Sequence, residues 1–256
     1  MGLTRAGVMD SHILYKSLAK YYDKLNSHVD YEGEAKFVLE MAKKHGVRRH
    51  GSLLDVGCGT GNHLRLLRQH FDVIGVDANE GMLKIAREKL PQTPLSVMDM
   101  RTLQLNKRFQ IIISMFGAIT YNRNLEELSQ TLLNFKNHLE SGGIAIIDME
   151  FCKEYWLEGK TWITTVIEDN FTLARIHTST AEGDVFPYRP LFLINDNGRI
   201  DFQIDEHRLS IFRLRDVLEM LDEHGFRTTA YHGFSQTSWS EENPGRPVLV
   251  SSLPGL

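Results

Sequence analysis

Between residues 52 and 149, short runs that are apolar at nearly every position alternate with stretches whose apolar residues recur every three or four positions. The runs at 52–56, 73–76, 95–98, 109–114 and 144–149 read as strands buried on both faces, as expected where helices cover a sheet on each side. Between them lie Leu64, Leu67 and Phe71; then Met82, Ile85, Ala86 and Leu90; then Leu125, Leu128, Leu132, Phe135 and Leu139, three stripes of helical period. Strands that alternate with helices in this way predict a parallel sheet. The last helix is expected to close on Ser141-Gly142-Gly143, where glycine supplies a left-handed backbone.

Ahead of this unit, residues 13–25 and 34–44 carry helical stripes, the second with Val38, Met41 and His45. They predict an N-terminal helical arm over residues 1–49. Beyond Met149 the period drops towards two. Segments 162–168, 171–178, 185–194 and 199–211 are strand-like and are separated by turn signals at Asp169-Asn170, Glu182-Gly183-Asp184 and Asn195-Asp196-Asn197-Gly198. A small antiparallel insertion over 151–210 follows. Along Phe171, Leu173, Arg175 and His177 one face mixes apolar and polar residues, which suits a sheet that caps a cleft. Residues 212–224 are helical again, with Leu214, Val217, Leu218 and Leu221 in register and Gly225 as the stop. Strands at 227–234 and 247–252 then return to the sheet, so 50–150 and 211–256 form one core.

The 256 residues, 42% apolar and 24% charged, suit one globular domain with an inserted cap. With 29 basic against 33 acidic residues the formal charge is −4, which leaves no excess cation to neutralise a phosphate backbone. No nucleic acid partner is expected. Cys58 and Cys152 make neither a disulfide framework nor a metal knuckle, so a reducing compartment, the cytoplasm, is expected, and no metal. The N-terminus lacks a signal-peptide core and no apolar run has membrane length, so no membrane partner is expected either.

The strongest local signal is Leu53-Leu54-Asp55-Val56-Gly57-Cys58-Gly59-Thr60-Gly61-Asn62. A strand runs into three glycines at two-residue spacing and then into a helix, so backbone can approach a ligand closely while the first helical N–H groups face it. Dinucleotide enzymes need Gly-x-Gly-x-x-Gly, and the residue three after Gly59 is Asn62. Asp77 closes the second strand, where a carboxylate accepts from both hydroxyls of a ribose; nicotinamide and adenosyl cofactors share that feature. Asp99-Met100 ends the third strand, where a carboxylate can accept from an adenine amino group and the next N–H can donate to the adjacent ring nitrogen.

Together, Asp55-Val-Gly-Cys-Gly-Thr-Gly61, Val76-Asp77 and Asp99-Met100 resemble the cofactor motifs of class I S-adenosylmethionine-dependent methyltransferases, over roughly residues 50–150. The resemblance implies an α/β fold, a Rossmann-like doubly wound, mostly parallel sheet with an antiparallel β insertion. It also implies S-adenosylmethionine as cofactor and S-adenosylhomocysteine as product. It places Asp55 near the methionine amino group, Gly57, Gly59 and Gly61 along the methionine and ribose, and Asp77 on the ribose hydroxyls. Ala78 and Met82 then lie beside the adenine, and Ser114 and Met115 line the far wall. Leu18-Ala19-Lys20-Tyr21-Tyr22-Asp23 is similar to the arm that folds over the methionine end, with Tyr22 and Tyr31 as expected contacts. More narrowly, Ser114-Met115-Phe116-Gly117, Asp99-Met100-Arg101, the insertion and Glu206-His207 resemble sugar-nucleotide N,N-dimethyltransferases, and glycine-type small-amine methyltransferases share several of these points. Met149-Glu150-Phe151 departs from the sugar enzymes in lacking their proline and tryptophan pair.

Methyl transfer from a sulfonium is an in-line displacement, so positioning supplies most of the rate. An amine acceptor sheds its extra proton beforehand, whereas an alcohol needs a base during attack. Expected catalytic residues are Tyr22, Glu150 and His207, the last read on an exposed strand; expected substrate contacts are Phe116, Tyr121, Arg175 and Tyr188. No Tyr-x-x-x-Lys pair occurs, so the short-chain dehydrogenase relay is missing. No Asp/Asn-Pro-Pro-Tyr segment follows strand four, which argues against amino groups of nucleobases or glutamine. The reading is methyl transfer to a small molecule, at an amine nitrogen, an amino sugar included. O-methylation and a non-catalytic S-adenosylmethionine-binding module stand as alternatives, and a homodimer is admitted.

Overall fold

The computed structural model describes residues 12–255, so the part of the expected arm before residue 12 lies outside the described residues. The chain divides into two units, a larger one of residues 30–156 and 210–255 and a smaller one of 12–29 and 157–209.

The described chain opens in the smaller unit with two 3-10 turns, Ile13–Tyr15 and Ala19–Tyr21, and a single turn of helix α1 (Tyr22–Leu25). A continuous helix over 13–25 was the expectation. It is interrupted where Lys16 leaves helical backbone at φ −117 and ψ −98.

In the larger unit α2 (Tyr31–Lys44) starts ahead of its apolar stripe because Asp30 caps it, accepting the Gly33 N–H at 2.9 Å. There follow β1 (Ser52–Val56), α3 (Asn62–Leu67), β2 (Asp72–Asp77), α4 (Glu80–Lys89), β3 (Leu95–Val97), β4 (Phe109–Ser114), α5 (Leu125–His138) and β5 (Leu139–Asp148). β5, β4, β1, β2 and β3 lie side by side and pair in parallel. One sheet face packs on α2 through Phe37, Val38 and Met41, the other on α5 through Leu128, Leu132 and Phe135. Strand order reverses between β1 and β4, and in sheets of this type the crevice at such a reversal is where ligands bind. The expected glycine stop of α5 is corrected. The helix ends at His138, and the pairing jumps from Phe109↔Leu139 to Ile111↔Ile144, so the intervening residues form a bulge in which Gly142 takes φ +76.

The smaller unit continues with β6 (Thr161–Glu168), β7 (Phe171–Thr178), β8 (Val185–Tyr188), β9 (Leu191–Asp196), β10 (Arg199–Ile204) and β11 (His207–Ser210). β10, β9, β7 and β6 form an antiparallel sheet in that order, and β8 pairs with β11. Each of the two long predicted strands is divided. Pro190 has no N–H for the ladder and ends β8, and its carbonyl accepts the Asp205 N–H at 3.0 Å where the next break falls. The inner sheet face buries Leu173, Phe192 and Ile194 against Leu14, Leu18 and Leu25, so the N-terminal segment and the insertion share one core.

Back in the larger unit, α6 (Leu214–Glu223) leads to β12 (Arg227–His232) and β13 (Pro247–Ser252). Both strands run antiparallel to their neighbours and extend the sheet beyond β5. Among the described residues no helix is long and apolar enough to cross a membrane.

Candidate cofactor site and acceptor wall

The turn after β1 is built from backbone that L side chains rarely adopt: Gly57, Gly59 and Gly61 have φ of +81, +54 and +79. The N–H groups of Gly57 and Cys58 both donate to the Val76 carbonyl, at 2.8 and 3.0 Å, which pins the turn to β2. A Cβ on Gly61 would lie 2.8 Å from Leu90 Cδ1, whereas one on Gly59 would meet only Met82 Cε at 3.5 Å. Gly59 is therefore the open position of the three. Met82 is 2% exposed and packs beneath the turn, while Ala78 is exposed. Burial pushes the Cys58 thiol well above its ordinary pKa, so it stays protonated and is no nucleophile.

Asp77, at the end of β2, accepts the Gly59 N–H at 2.8 Å on one oxygen and the Asn79 N–H at 2.8 Å on the other. Burial raises its pKa and these backbone bonds oppose the rise. Asp55 is 1% exposed, and its Oδ2 is buried with no hydrogen-bond partner. Burial raises its pKa to about 7, against the pull of nearby His63 and with help from the Asp77 charge. His63, the second residue of α3, meets Glu34 of α2 at 2.6 Å in a buried pair, and the Tyr31 ring stands edge-on to His63 with centroids 5.1 Å apart. Ser114 ends β4, the strand beside β1, and its buried Oγ also has no hydrogen-bond partner. Met115, next in sequence, is 2% exposed.

The Asp99 carboxylate caps the 3-10 turn Met100–Thr102 by accepting the Arg101 N–H, and it also accepts Arg101 Nε at 2.9 Å. The Arg101 guanidinium holds its pKa below the usual carboxylate range. Asn134 of α5 donates to the Met100 and Arg101 carbonyls, both at 2.9 Å, and fixes this turn from behind. An adenine amino group on Asp99 would share the carboxylate with Arg101.

After β4 the chain turns through Phe116 and Gly117 at φ +56 and +65. Phe116 is a non-glycine residue in the left-handed region, a conformation that costs about 1–2 kcal/mol and persists only where surroundings impose it. A Cβ on Gly117 would sit 3.2 Å from Glu150 Oε2, so Glu150 occupies the space that glycine leaves. Arg246, just before β13, lies over the Phe116 and Phe234 rings at 5.7 and 5.5 Å and forks onto Asp148 at the end of β5, with Nε to Oδ1 at 2.6 Å. Burial works against its charge, but Asp148 and Glu150 outweigh that and raise its pKa. Tyr121 is half-buried at the end of the turn Ala118–Tyr121.

The remaining candidates belong to the smaller unit. Tyr22 opens α1, and its ring centroid is 6.1 Å from that of Tyr15. His207 is corrected: the strand on which it sits is not exposed, because its side chain is fully buried and meets Asp205 Oδ2 at 2.9 Å. Asp205 in turn accepts the N–H groups of Ile13 and Leu14, at 2.8 and 2.6 Å. The pair thus ties down the N-terminal turn. Arg175 and Tyr188 are half-buried around His177, Arg175 donating to Thr164 Oγ1 at 3.2 Å and Tyr188 standing edge-on to the imidazole at 4.8 Å. Burial and the Arg175 charge lower the His177 pKa to about 4.

The structure therefore gathers Asp55, Gly57, Gly59, Gly61, Asp77, Asp99, Met100, Ser114 and Met115 at the carboxyl ends of β1 to β4. Sequence reading gave no part to Glu34, Asn79, Asn134 or Arg246. Arg246 and Asp148 are 98 residues apart, and no local pattern links them. The donor set fits S-adenosylmethionine: a buried carboxylate oxygen and a hydroxyl lacking partners await an ammonium group and its surroundings, and an open glycine admits close approach.

A family model described as a methyltransferase domain matches residues 53–143. A dTDP-3-amino-3,4,6-trideoxy-alpha-D-glucopyranose N,N-dimethyltransferase from Streptomyces venezuelae is 31% identical over 80% of this chain and 86% of its own length. The sugar N-methyltransferase KedS8 from Streptoalloteichus sp. is similar in structure, with a TM-score of 0.84 at 26% identity over 99% of both chains. S-adenosylmethionine-bound CalS10, an amino pentose methyltransferase from Micromonospora echinaspora, gives a TM-score of 0.78 at 25% identity over 92% of this chain and 95% of its own. Sheet order, glycine turn and kinship over most of its length agree: the chain belongs to the class I methyltransferases, enzymes whose cofactor is S-adenosylmethionine.

Proposed function

We propose that this enzyme methylates the amino nitrogen of a small molecule, an amino sugar carried on a nucleoside diphosphate, and that it works in the cytoplasm. The relatives named above support the acceptor class by what they act on. Within the chain, one observation carries the reading. Asp55 Oδ2 and Ser114 Oγ, buried and without partners, lie on adjoining strands, and the strained Phe116-Gly117 turn with Glu150 beside it follows directly.

When bound, S-adenosylmethionine supplies an electrophilic methyl group. Asp55 holds the ammonium of its methionine end, Asp77 takes the ribose hydroxyls while keeping its bond to Gly59, and Asp99 with the Met100 backbone reads the adenine edge. Ala78 and Met82 pack near the adenine, and Ser114 and Met115 wall the far side. Tyr22 and Tyr31 are the arm contacts. On the acceptor side Phe116 and Tyr121 form apolar surface, and Glu150 takes the proton that an ammonium sheds before its lone pair can attack. Arg175 offers positive charge to a diphosphate, and Tyr188 orients it. An amine, which needs no base during attack, is favoured by the state of two histidines of the smaller unit: His207 is buried against Asp205, and His177 is held to a pKa of about 4. The buried thiols of Cys58 and Cys152 accord with a reducing compartment.

The test is a panel of dTDP-amino sugars, the matching dTDP-hydroxy sugars and free small amines, incubated with S-adenosylmethionine and followed by mass spectrometry. One and then two methyl additions on an amino sugar are expected. Methylation confined to the hydroxy sugars would overturn the reading.

A further inference from the structure

Asp99 Oδ1 accepts two hydrogen bonds, from the Arg101 N–H and from Arg101 Nε, both at 2.9 Å, while Oδ2 accepts from Arg101 Nη2 at 2.5 Å. A carboxylate oxygen has two lone pairs. Among the described residues, then, Oδ1 is filled and Oδ2 keeps one lone pair free. The Asp99 side chain is 33% exposed, which leaves that lone pair within reach of a ligand. The guanidinium is itself held, because Arg101 Nη1 donates to Glu127 Oε2 at 3.0 Å and Glu127 Oε1 accepts Arg123 Nε at 2.7 Å. The backbone of the turn is held separately, by Asn134 on the Met100 and Arg101 carbonyls.

We infer that Arg101 is a specificity-determining residue for the cofactor: its fork aims the one free lone pair of Asp99 Oδ2 at the 6-amino group of the adenine and makes the site demand that group. The carboxylate torsion of an aspartate is broad when nothing holds it. Two parallel bonds from a planar guanidinium fix the carboxylate plane, which the point charge of a lysine does not. The same guanidinium keeps the Asp99 pKa below the usual carboxylate range, so the group stays an acceptor at neutral pH. A purine with no hydrogen to offer at position 6 then leaves an oriented acceptor unanswered, and sites built in this way reject such analogues strongly. The role given to Arg101 rests on Asp99 reading the adenine edge, and the experiment tells the two apart.

The full chain is titrated in a calorimeter with S-adenosylhomocysteine and with its analogue bearing hydrogen in place of the 6-amino group. The parent should bind the amino compound roughly 10- to 100-fold more tightly, as one hydrogen bond to a charged group provides. Arg101→Met should bring the two ligands within about threefold of each other, by weakening the amino compound and leaving its analogue nearly unchanged. Arg101→Lys, which keeps the charge and loses the fork, should do the same. Glu127→Gln loosens the guanidinium without touching Asp99; it should lower the ratio about threefold and serves where Arg101→Met does not fold. A ratio left at the parent's value in these variants, or restored in full by Arg101→Lys, overturns the inference while the reading of Asp99 stands. A parent that does not distinguish the ligands, or an Asp99→Ala variant that still does, overturns both.

Discussion

The backbone N–H of Gly59 donates to Asp77 Oδ2 at 2.8 Å, and that bond joins the turn after β1 to the tip of β2. The other oxygen of the same carboxylate accepts the Asn79 N–H, just ahead of α4. One side chain thus ties the two loops together. Hydrogen bonds to an ionised group are worth about 1.5–3 kcal/mol each, enough to fix a loop.

Asp77→Asn keeps the shape but has only one acceptor oxygen, and its NH2 would face a backbone donor. Affinity for S-adenosylmethionine should fall about 10- to 100-fold while the protein remains folded, the equivalent of one or two charge-assisted bonds. Titration calorimetry measures it directly. An unchanged dissociation constant would show that the carboxylate only packs.

Gly59 and Gly61 should fail in different ways. Gly61→Ala combines a φ of +79 with a Cβ 2.8 Å from Leu90 Cδ1, so it should lower stability by roughly 2–4 kcal/mol. Gly59→Ala meets only Met82 Cε at 3.5 Å, so about 1–2 kcal/mol of backbone strain is expected together with a loss of cofactor affinity. Urea denaturation beside calorimetry separates the two. Equal stability losses with cofactor binding intact in both would refute the distinction.

Asp55 gives the ligand-free enzyme a pH dependence. Its folded-state pKa, about 7, lies above the ordinary 3.8, so the folded chain holds a proton that the unfolded chain releases. That contribution is complete below about pH 4 and disappears as pH rises through 7, on the order of 4 kcal/mol in all. Asp55→Asn is neutral throughout, so its stability relative to the parent should climb between pH 4 and 8. Parallel stability curves for the two proteins would contradict this.

Glu34 and His63 form a buried pair at 2.6 Å linking α2 to α3. Removing one partner leaves an uncompensated polar group, and losses of about 3–5 kcal/mol are typical, whereas replacing both with apolar residues is often neutral. Glu34→Leu alone should destabilise strongly, and adding His63→Leu should recover most of the loss. Simple addition of the two single effects in a double-mutant cycle would mean that the residues act independently.

What could be read along the chain was whatever repeats at short range. The runs at 52–56 and 109–114 announce strands because a strand covered on both faces is apolar throughout, and the structure places them side by side. Asp55, Asp77 and the three glycines stood out because special backbone and a strand end fall at fixed spacing. Less followed where tertiary packing sets the outcome. The helix expected over 13–25 became separate turns because Leu14, Leu18 and Leu25 bury against a sheet formed far downstream.

The sequence by itself determined the alternating architecture, the glycine turn after β1 and the acids at the strand ends beside it, since each depends on residues within a few positions of one another. Only the tertiary structure decided that His207 is interior, that Arg246 braces Phe116 and Asp148, and that one face of the second sheet stays both apolar and uncovered. Those outcomes depend on which distant segments exclude water from which side chains, and burial of that kind leaves no local pattern to read.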